Sequence, residues 1–376
     1  MDSVVLFGLG PAGLFLSREL AKNNVRIIGI GRRDDVGLYS KYVEPFVAET
    51  KEEIMNIINK IKTYQEKPLV GYICSDQYLT LFLNDFPEIF KIIRFVGLSK
   101  ENYELINNKQ KITKVCTELG LRMPREYTYQ DLVSKNVAFP LAFKLNTKEI
   151  NSEKNPIGKL KIVNSKRELN DLEENLNRSR FEISKIVVQE YIQGDNSQQF
   201  SFGGYFINGK EKAGIVVNQV GQYPQGVSSL VLEVEAGSVK DKIKGSALKF
   251  ADYLKYTGFL EMEFKVYKET IYLMDINPRV WGWVSILGKK YPDFHNILGE
   301  NNKIATNKTP QLVMWKSPIR VFLGKFKETS NEKIEKKDLV RYQKSNIAYD
   351  LYNPNDLKPL IAMLKISLLK LKKKFR

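Results

Sequence analysis

Four residues close together in this sequence could do chemistry together: Glu263, Asp275, Asn277 and Arg279. Two runs rich in aromatic and branched residues, 259–266 and 270–276, are separated by a short polar turn, and this pattern predicts a hairpin. Side chains two residues apart share a face of a strand, so the last three of the four point the same way, and Glu263 lies opposite them on the partner strand. Such oxygen ligands suit Mg²⁺ that holds nucleotide phosphates, and an arginine fork can reach a phosphate or an acyl phosphate.

The pattern that these residues form, E-x(11)-D-x-N-P-R, resembles the metal-binding signature of the ATP-grasp superfamily, usually E-x(11)-E-x-N-x-R. The spacing matches throughout, and Asp275 stands where the family has the longer glutamate. The resemblance implies that Glu263, Asp275 and Asn277 bind Mg²⁺ or Mn²⁺, and that Arg279 acts as a catalytic residue at the transferring phosphoryl group. The alternative interpretation is an ordinary edge hairpin whose acidic side chains are solvated.

Earlier lysines match the family's phosphate-binding lysines in the expected order. Residues 107–127 resemble its entry helix, with Lys109 near the start and Gly120 at the end of the helix. An apolar face recurs at helical spacing and is predicted to be buried: Ile112, Val115, Cys116 and Leu119. Lys144 lies in an apolar segment that resembles a lid strand, from which it would reach the α- and β-phosphates. Lys159, in the polar segment that corresponds to the mobile lid loop, is a further candidate for a phosphate contact. On local evidence alone, each of these lysines could instead be solvated or could snorkel from a strand end.

Residues 185–196 resemble the hinge that receives adenine in this superfamily. The resemblance implies a set of nucleotide-binding residues in and near this segment: Gln189, Glu190, Tyr191, Ile192, Asp195 and Met274. Backbone groups at Tyr191 and Ile192 would pair with the adenine edge, Asp195 would accept hydrogen bonds from the ribose, and Ile192 and Met274 would pack on the purine. The alternative is a buried strand that ends in an ordinary Gly-Asp turn.

The N-terminus supports a different function. Three glycines, Gly8, Gly10 and Gly13, follow a predicted strand and open a predicted helix, as in a dinucleotide-binding fingerprint. After the second strand the chain has Arg32 and Arg33 in place of the acidic residue expected for NAD, so an NADP-dependent oxidoreductase is the alternative function. ATP-grasp ligases, however, commonly begin with a Rossmann-like domain that binds no nicotinamide, in which such glycines only form a tight turn.

Composition excludes several classes of mechanism. The chain has 376 residues with 43% hydrophobic content, enough for two or three domains with sizeable cores. A single histidine, His295, argues against a histidine base or a polyhistidine metal site. Two cysteines, Cys74 and Cys116, give neither metal spacing nor a disulfide framework. Without a visible signal peptide or a bilayer-length apolar run, a cytoplasmic protein is expected.

The formal charge of +16 favours anionic partners, and much of it lies in residues 356–376. Apolar residues recur there at helical spacing among lysines: Leu357, Leu360, Ile361, Leu364, Leu368 and Leu371. This pattern predicts a basic amphipathic helix that can lie on the inner face of an anionic membrane. The alternative is that the leucine stripe docks on the protein or on a second subunit of a homodimer. Nucleic acid is not expected as a partner, because no basic segment is interleaved with aromatic residues.

The resemblance covers nearly the whole chain and implies an ATP-grasp fold of mixed α/β and α+β class. The expected organisation is a Rossmann-like domain (1–105), an ATP-grasp domain (106–330, with a lid at about 124–191) and a C-terminal extension (331–376). It implies an ADP-forming ligase that joins a small-molecule carboxylate to an amine, with an amino-acid ligase of cell-surface polymer or peptide metabolism as one candidate. In the family a loop that usually carries an arginine faces the substrate carboxylate, and here that vicinity has Asn218, Gln219 and Gln222, so carboxylate recognition would differ or come from elsewhere. Trp281 and Trp283 could line the acceptor pocket, although burial in a core is the commoner outcome for such aromatic residues.

Overall fold

The computed structural model describes residues 3–63, 68–97, 99–134, 136–145, 157, 160–179, 186–224, 226–298, 308–326, 342 and 346–374. Three sheets organise these residues, one of them parallel and two largely antiparallel. The predicted combination of α/β and α+β structure is therefore confirmed. No helix in the described ranges is both long enough and apolar enough to cross a membrane.

The N-terminal sheet has five parallel strands: β1 (Ser3–Phe7), β2 (Arg26–Gly31), β3 (Glu44–Val47), β4 (Leu69–Ile73) and β5 (Ile93–Phe95). Four helices accompany them: α1 (Pro11–Ala21), α2 (Lys51–Lys62), α3 (Asp76–Asn84) and α4 (Ile89–Ile92). The order β3-β2-β1-β4-β5 reverses direction at β1, as in doubly wound folds. β1 and β4 are buried along their whole length, which is typical of parallel strands covered on both faces.

Two helices, α5 (Lys100–Asn107) and α6 (Lys109–Glu118), lead out of this sheet, and α6 is the predicted entry helix. The Asn108 side chain caps it by accepting a hydrogen bond from the Lys111 amide at 3.0 Å. Gly120 ends it with φ +69°, a conformation that favours glycine. The predicted buried face is confirmed for Ile112, Val115 and Cys116, whereas Leu119, the fourth predicted residue, is only partly buried.

A four-stranded sheet lies in the segment predicted as the lid, and the term lid is kept below for this sheet: β6 (Glu126–Tyr127), β7 (Leu141–Leu145), β8 (Lys161–Val163) and β9 (Ile186–Glu190), in the order β6-β9-β7-β8. Two helices flank it: α7 (Tyr129–Val133) and α8 (Lys166–Arg178). Helix α8 buries Leu169, Leu172 and Leu176 at helical spacing against the strands. Because β9 pairs with both β6 and β7, it lies in the middle of the lid and carries the predicted hinge at its end.

The large sheet has seven strands: β10 (Gln199–Ile207), β11 (Lys210–Gln222), β12 (Ser228–Glu233), β13 (Gly258–Tyr267), β14 (Thr270–Asn277), β15 (Met314–Lys316) and β16 (Ile347–Tyr349). Their order is β14-β13-β10-β11-β12-β15-β16, and only the last pair in this order is parallel. The helices of this part are α9 (Ser238–Tyr253), α10 (Ile286–Lys290), α11 (Pro318–Phe326) and α12 (Lys358–Lys374).

The two faces of the large sheet bury different cores. One face packs on α9, where Phe202, Met262 and Phe264 meet Ile243 and Phe250. The opposite face shares a core with the N-terminal sheet, formed by side chains such as Leu6, Leu16, Tyr205, Val217, Phe259, Trp281 and Trp283. Since the first and third sheets share this core, the domain boundary near residue 105 stays a prediction. The polar residues of the candidate site on β13 and β14 lie on this second face, where the strand ends extend beyond the shared core.

Candidate nucleotide and metal site

The predicted hairpin is formed by β13 and β14, and its register places the acidic residues together. Glu263 lies directly opposite Asp275, and Glu261 lies directly opposite Asn277. Directly opposed residues of an antiparallel pair point to the same side, with Cβ atoms about 5 Å apart. The turn between the strands is tight, because Lys268 and its successor adopt positive φ angles of 45° and 64°. The structure therefore brings Glu263, Asp275 and Asn277 to one face of the sheet.

Glu261 belongs to the same cluster, although the sequence prediction did not include it. Asn277 Nδ2 donates to Glu261 Oε2 at 3.2 Å and to Glu263 Oε1 at 3.3 Å, and Trp283 Nε1 donates to Glu261 Oε1 at 2.7 Å. Burial and the nearby carboxylate of Glu263 raise the pKa of Glu261 to about 8. The signal that could have found Glu261 is its position two residues before Glu263, on the same face of the strand.

The N-terminal sheet reaches this cluster through an ion pair. Arg279 Nε donates to Asp76 Oδ1 at 2.6 Å, and Arg279 Nη2 donates to Asp76 Oδ2 at 2.5 Å. Asp76 is the first residue of α3, directly after β4 and the capping residue Ser75. Burial alone would lower the pKa of Arg279, but the carboxylates of Asp76, Glu261 and Asp275 outweigh it and raise the pKa above its usual value. A guanidinium held between carboxylates stays charged and fixed in orientation.

The donor atoms of the cluster fit a magnesium ion that also binds phosphate. Within the described ranges, no group of three or more His, Cys, Asp or Glu side chains is gathered closely enough to hold a metal by itself. Mg²⁺ in nucleotide sites is held through one or two carboxylates together with substrate phosphates. The Asn277 amide now directs its nitrogen between Glu261 and Glu263. If the Asn277 amide rotates by half a turn, its oxygen faces the space between the two glutamates and could bind a cation there. The residues present therefore suit a complex of metal and nucleotide.

The hinge residues lie at the end of β9, in the lid. Gln189 and Ile192 are buried, and Glu190 and Tyr191 are partly buried. The Tyr191 amide donates to the Pro140 carbonyl at 3.1 Å, which directs this backbone group into the lid. Asp195 accepts hydrogen bonds from the Ser197 amide at 2.8 Å and from the Ser197 hydroxyl at 2.5 Å, so it caps the short turn that leads into β10.

Lys265 connects the lid, the hinge and the hairpin, and sequence reasoning missed it. Its Nζ donates to the Gly194 carbonyl at 2.9 Å and lies 5.3 Å from the centre of the Tyr191 ring. Burial lowers the pKa of Lys265, the carboxylate of Asp195 opposes this shift, and the positive charge of Lys144 adds to it. The positive charge of Lys144 thus acts on Lys265, and an anion bound between the two would relieve their repulsion. Lys265 is two residues from Glu263, or about 7 Å along the strand.

Three other residues predicted to bind the phosphates or the purine are Lys109, Lys159 and Met274, and only the side chain of Met274 lies in the described part of the structure. Lys109 is the first residue of α6, but its side chain is outside the described part of the structure. Lys159 also lies outside the described residues. Met274 is partly buried and sits at an irregularity in β14, where the register skips from Asp275 to Leu273. Their roles in binding stay predictions.

A group of hydrogen-bonded amide and hydroxyl side chains lies beside the carboxylates. Ser201 and Gln199 of β10 lie directly opposite Glu263 and Lys265. Gln219 Nε2 donates to Ser201 Oγ at 2.6 Å, and Gln222 Nε2 donates to Gln199 Oε1 at 2.8 Å. The predicted amide-rich acceptor region is thus next to the acidic cluster. Of the two outcomes considered for the tryptophans, the structure shows burial, because Trp281 and Trp283 are almost fully buried in the shared core and pack against Gly203.

The backbone of Leu9, inside the glycine loop of the N-terminal sheet, is hydrogen-bonded to the chain itself. The Asp35 carboxylate accepts hydrogen bonds from the Leu9 amide at 3.0 Å and from the Arg32 amide at 3.0 Å, and the Gly37 amide donates to the Leu9 carbonyl at 2.8 Å. In dinucleotide-binding proteins the phosphates occupy the corresponding position above the loop. Arg32, a candidate for the NADP 2′-phosphate, is 3.5 Å from Glu49. These contacts argue against the NADP alternative.

No family model matches the sequence, and no curated protein matches it. Its structure, in contrast, resembles several solved proteins. The N5-carboxyaminoimidazole ribonucleotide synthetase of Thermus thermophilus has a TM-score of 0.63 at 14% identity, over 83% of this chain and 82% of that one. An L-amino acid ligase from Bacillus licheniformis has a TM-score of 0.59 at 15% identity, over 84% and 79% of the two chains.

A third similar structure is the biotin carboxylase domain of the Hydrogenobacter thermophilus 2-oxoglutarate carboxylase, in complex with MgADP, ADP and bicarbonate. Its TM-score is 0.61 at 12% identity, over 82% of this chain and 70% of that one. This chain has the ATP-grasp fold. The fold predicted from the sequence signature is thereby confirmed. Because proteins that share a fold at such low identity can catalyse different reactions, the reaction of this protein has to be inferred from the residues of its own site.

Proposed function

We propose that this protein is an ADP-forming ligase that joins a carboxylate to an amine through an acyl phosphate. The observation that carries this proposal is the position of Lys265. Lys265 lies on the same hairpin strand as Glu263 and donates to the carbonyl of Gly194 in the hinge, and the charges of Asp195 and of Lys144 in the lid strand both affect its pKa. These segments are far apart in sequence, and their charges are those needed to hold a nucleotide triphosphate and its metal.

In this proposal the nucleotide lies between the lid and the large sheet. Its adenine is bound at the hinge by Gln189, Glu190, Tyr191 and Ile192, with Met274 on the purine and Asp195 at the ribose. Because the Tyr191 amide is directed to Pro140, Ile192 is the better candidate for a backbone contact with adenine. Four lysines are assigned to the phosphates: Lys109, Lys144, Lys159 and Lys265.

The metal ligands in this proposal are Glu263, Asp275 and Asn277, with Glu261 as an additional member of the cluster. A bound Mg²⁺ or Mn²⁺ would neutralise charge on the phosphate oxygens and orient the γ-phosphate. Trp283 holds Glu261 in place through its indole nitrogen. The Glu261 carboxylate in turn keeps the Asn277 amide beside the cluster.

The reaction has two steps. An oxygen of the substrate carboxylate attacks the γ-phosphorus of ATP, the bond to the β,γ-bridging oxygen breaks, and ADP leaves. The amine nitrogen then attacks the carbonyl carbon of the acyl phosphate, the bond from that carbon to the phosphate oxygen breaks, and the nitrogen loses a proton, giving an amide and phosphate. Arg279, oriented by Asp76, contacts the transferring oxygens. No nucleophile of the protein is required.

An amino acid or a short peptide, used in peptide or cell-surface polymer metabolism, is the substrate class that we propose. The amide and hydroxyl side chains beside Glu263 offer neutral hydrogen-bonding groups for a polar substrate. The segment 218–226 contains no arginine and no lysine. Arg320 of α11 supplies a positive charge nearby, since its Nη1 donates to the Ser228 carbonyl at 3.1 Å.

The test is ADP release in the presence of Mg²⁺ and a panel of carboxylate and amine pairs. We expect Glu263→Ala and Arg279→Ala to abolish turnover while the circular dichroism spectrum is unchanged. Glu269→Gln, in the turn of the same hairpin, is the matched control and should keep wild-type turnover. Near-normal turnover in both site variants would disprove the proposal. Thermal stabilisation by NADPH and not by Mg-ATP would instead favour the oxidoreductase.

A further inference from the structure

Helix α12 packs along one of its faces on α1 and on the turn Val36–Tyr39, next to the N-terminal sheet. Three of its residues, Leu360, Met363 and Ile366, pack on a small core formed by Leu14, Val36 and Leu351. Just before the helix, Asp356 accepts a hydrogen bond from Arg18 Nε at 3.0 Å and another from Ser40 Oγ at 2.8 Å. Asp356 is almost fully buried. The start of the helix is therefore held in a defined orientation on the protein.

A second apolar face of the same helix points outward. Leu357, Ile361 and Leu364 are 44%, 48% and 50% exposed. Their spacing of four and three residues aligns them along the helix, and Leu368 and Leu371 continue the same spacing in the sequence. Leu360, which the apolar spacing assigns to the same stripe, instead packs on the protein and is not part of the exposed face. Aligned exposed leucines on one helix, unlike scattered ones, indicate a binding surface.

The charge around this stripe identifies the partner. Residues 357–376 contain six lysines and one arginine and no acidic residue. Lys358 and Lys365 of the described part are exposed beside the stripe. A surface that is apolar along its middle and basic at its sides matches the interface of a bilayer with anionic headgroups.

A second copy of this chain fits the stripe less well. It would bring an equally basic helix, and like charges would repel one another across the contact. The apolar pattern from 357 to 371 spans about two heptads, whereas coiled-coil pairing is indicated by three to four. We propose that the outer face of α12 binds the surface of a membrane that contains anionic lipid, with the helix lying parallel to that surface.

The test is cosedimentation of the full-length protein with vesicles. We expect binding to vesicles of phosphatidylglycerol and phosphatidylcholine, none to phosphatidylcholine alone, and weaker binding at about 0.5 M than at about 0.05 M salt. The triple variant Leu357→Gln/Ile361→Gln/Leu364→Gln should lose at least about tenfold in affinity for these vesicles. Phe322→Gln, which alters a 58% exposed side chain on α11, is the matched control and should bind like the wild type.

The stripe residues are exposed, so the triple variant should keep the thermal stability of the wild type, and a loss of vesicle binding then reports on the surface alone. Wild-type binding by the triple variant would overturn the proposal, as would equal binding of the wild type to neutral vesicles or no binding to any vesicle. A wild-type dimer that the triple variant converts to a monomer in sedimentation velocity would also overturn it, because the face would then join two copies of the chain.

Discussion

The ion pair between Asp76 and Arg279 connects the N-terminal sheet to the acidic cluster, and its strength can be predicted. It consists of two charge-assisted hydrogen bonds of 2.6 and 2.5 Å, and the side chains are 29% and 14% exposed. Exposed pairs contribute about 0 to 1 kcal/mol, whereas removing one partner of a buried pair costs about 3 to 5 kcal/mol. For this partly buried bidentate pair, we expect a coupling energy of about 2 kcal/mol.

The coupling energy is measured with a double-mutant cycle of Asp76→Asn, Arg279→Gln and the double variant. Urea unfolding can be followed by tryptophan fluorescence, because the three tryptophans are buried in the core that the first and third sheets share. The control is the exposed pair of Arg178 and Glu174, separated by one helical turn, which should couple by about 0.5 kcal/mol or less. A coupling between Asp76 and Arg279 no larger than that of the control would refute the reasoning.

Three other perturbations test separate parts of the structure. Lys265→Met should weaken binding of Mg-ATP by about tenfold in isothermal titration, since a charge beside the phosphates is worth about 1 to 2 kcal/mol. An unchanged affinity would show that Lys265 does not contribute to nucleotide binding. Gly37→Ala should lower the free energy of unfolding by about 1 to 3 kcal/mol, because the new Cβ would lie 2.6 Å from the Leu9 carbonyl oxygen. The control is Gly245→Ala in α9, whose new Cβ meets no atom within 4 Å and should not destabilise the protein. Burial raises the pKa of Asp35, so the wild type should lose stability relative to Asp35→Asn as the pH rises above the ordinary aspartate value; a difference in melting temperature that is constant from about pH 4 to about pH 7 would contradict this.

The hairpins were predictable because their signals are local. Alternating apolar residues define the strands, and the turn residues Asn208 and Gly209, like Lys268 and Glu269, adopt the positive φ angles that tight hairpin turns require. The entry helix was predictable for the same reason, since its cap, its buried face and its terminal glycine lie within a short segment.

The contacts that complete the site were not predictable from local sequence. Asp76 and Arg279 are separated by 203 positions, and only the folded arrangement of the first and third sheets brings them together. The local sequence around Glu261 indicates a buried strand, and the local sequence around Lys265 indicates a solvated strand end. Their positions beside Asn277 and beside the hinge follow from the strand register and from tertiary packing, which the local sequence does not encode.

The C-terminal helix illustrates the same limit. Its apolar spacing predicts a helix, and the structure confirms one from residue 358 to 374. The spacing does not distinguish Leu360, which packs on Leu14 and Val36, from Ile361, which is exposed. Which face docks is determined by the position of Asp356 against Arg18, a contact across 338 positions.

The central claim is that Glu263, Asp275 and Asn277 hold a divalent cation together with the phosphates of ATP. The most direct measurement is isothermal titration of the full-length protein with a non-hydrolysable ATP analogue, with Mg²⁺ and with EDTA, for the wild type and for Glu263→Gln. We predict binding by the wild type that requires Mg²⁺ and is lost in Glu263→Gln. Equal affinity with EDTA, or wild-type affinity in the variant, would contradict the account.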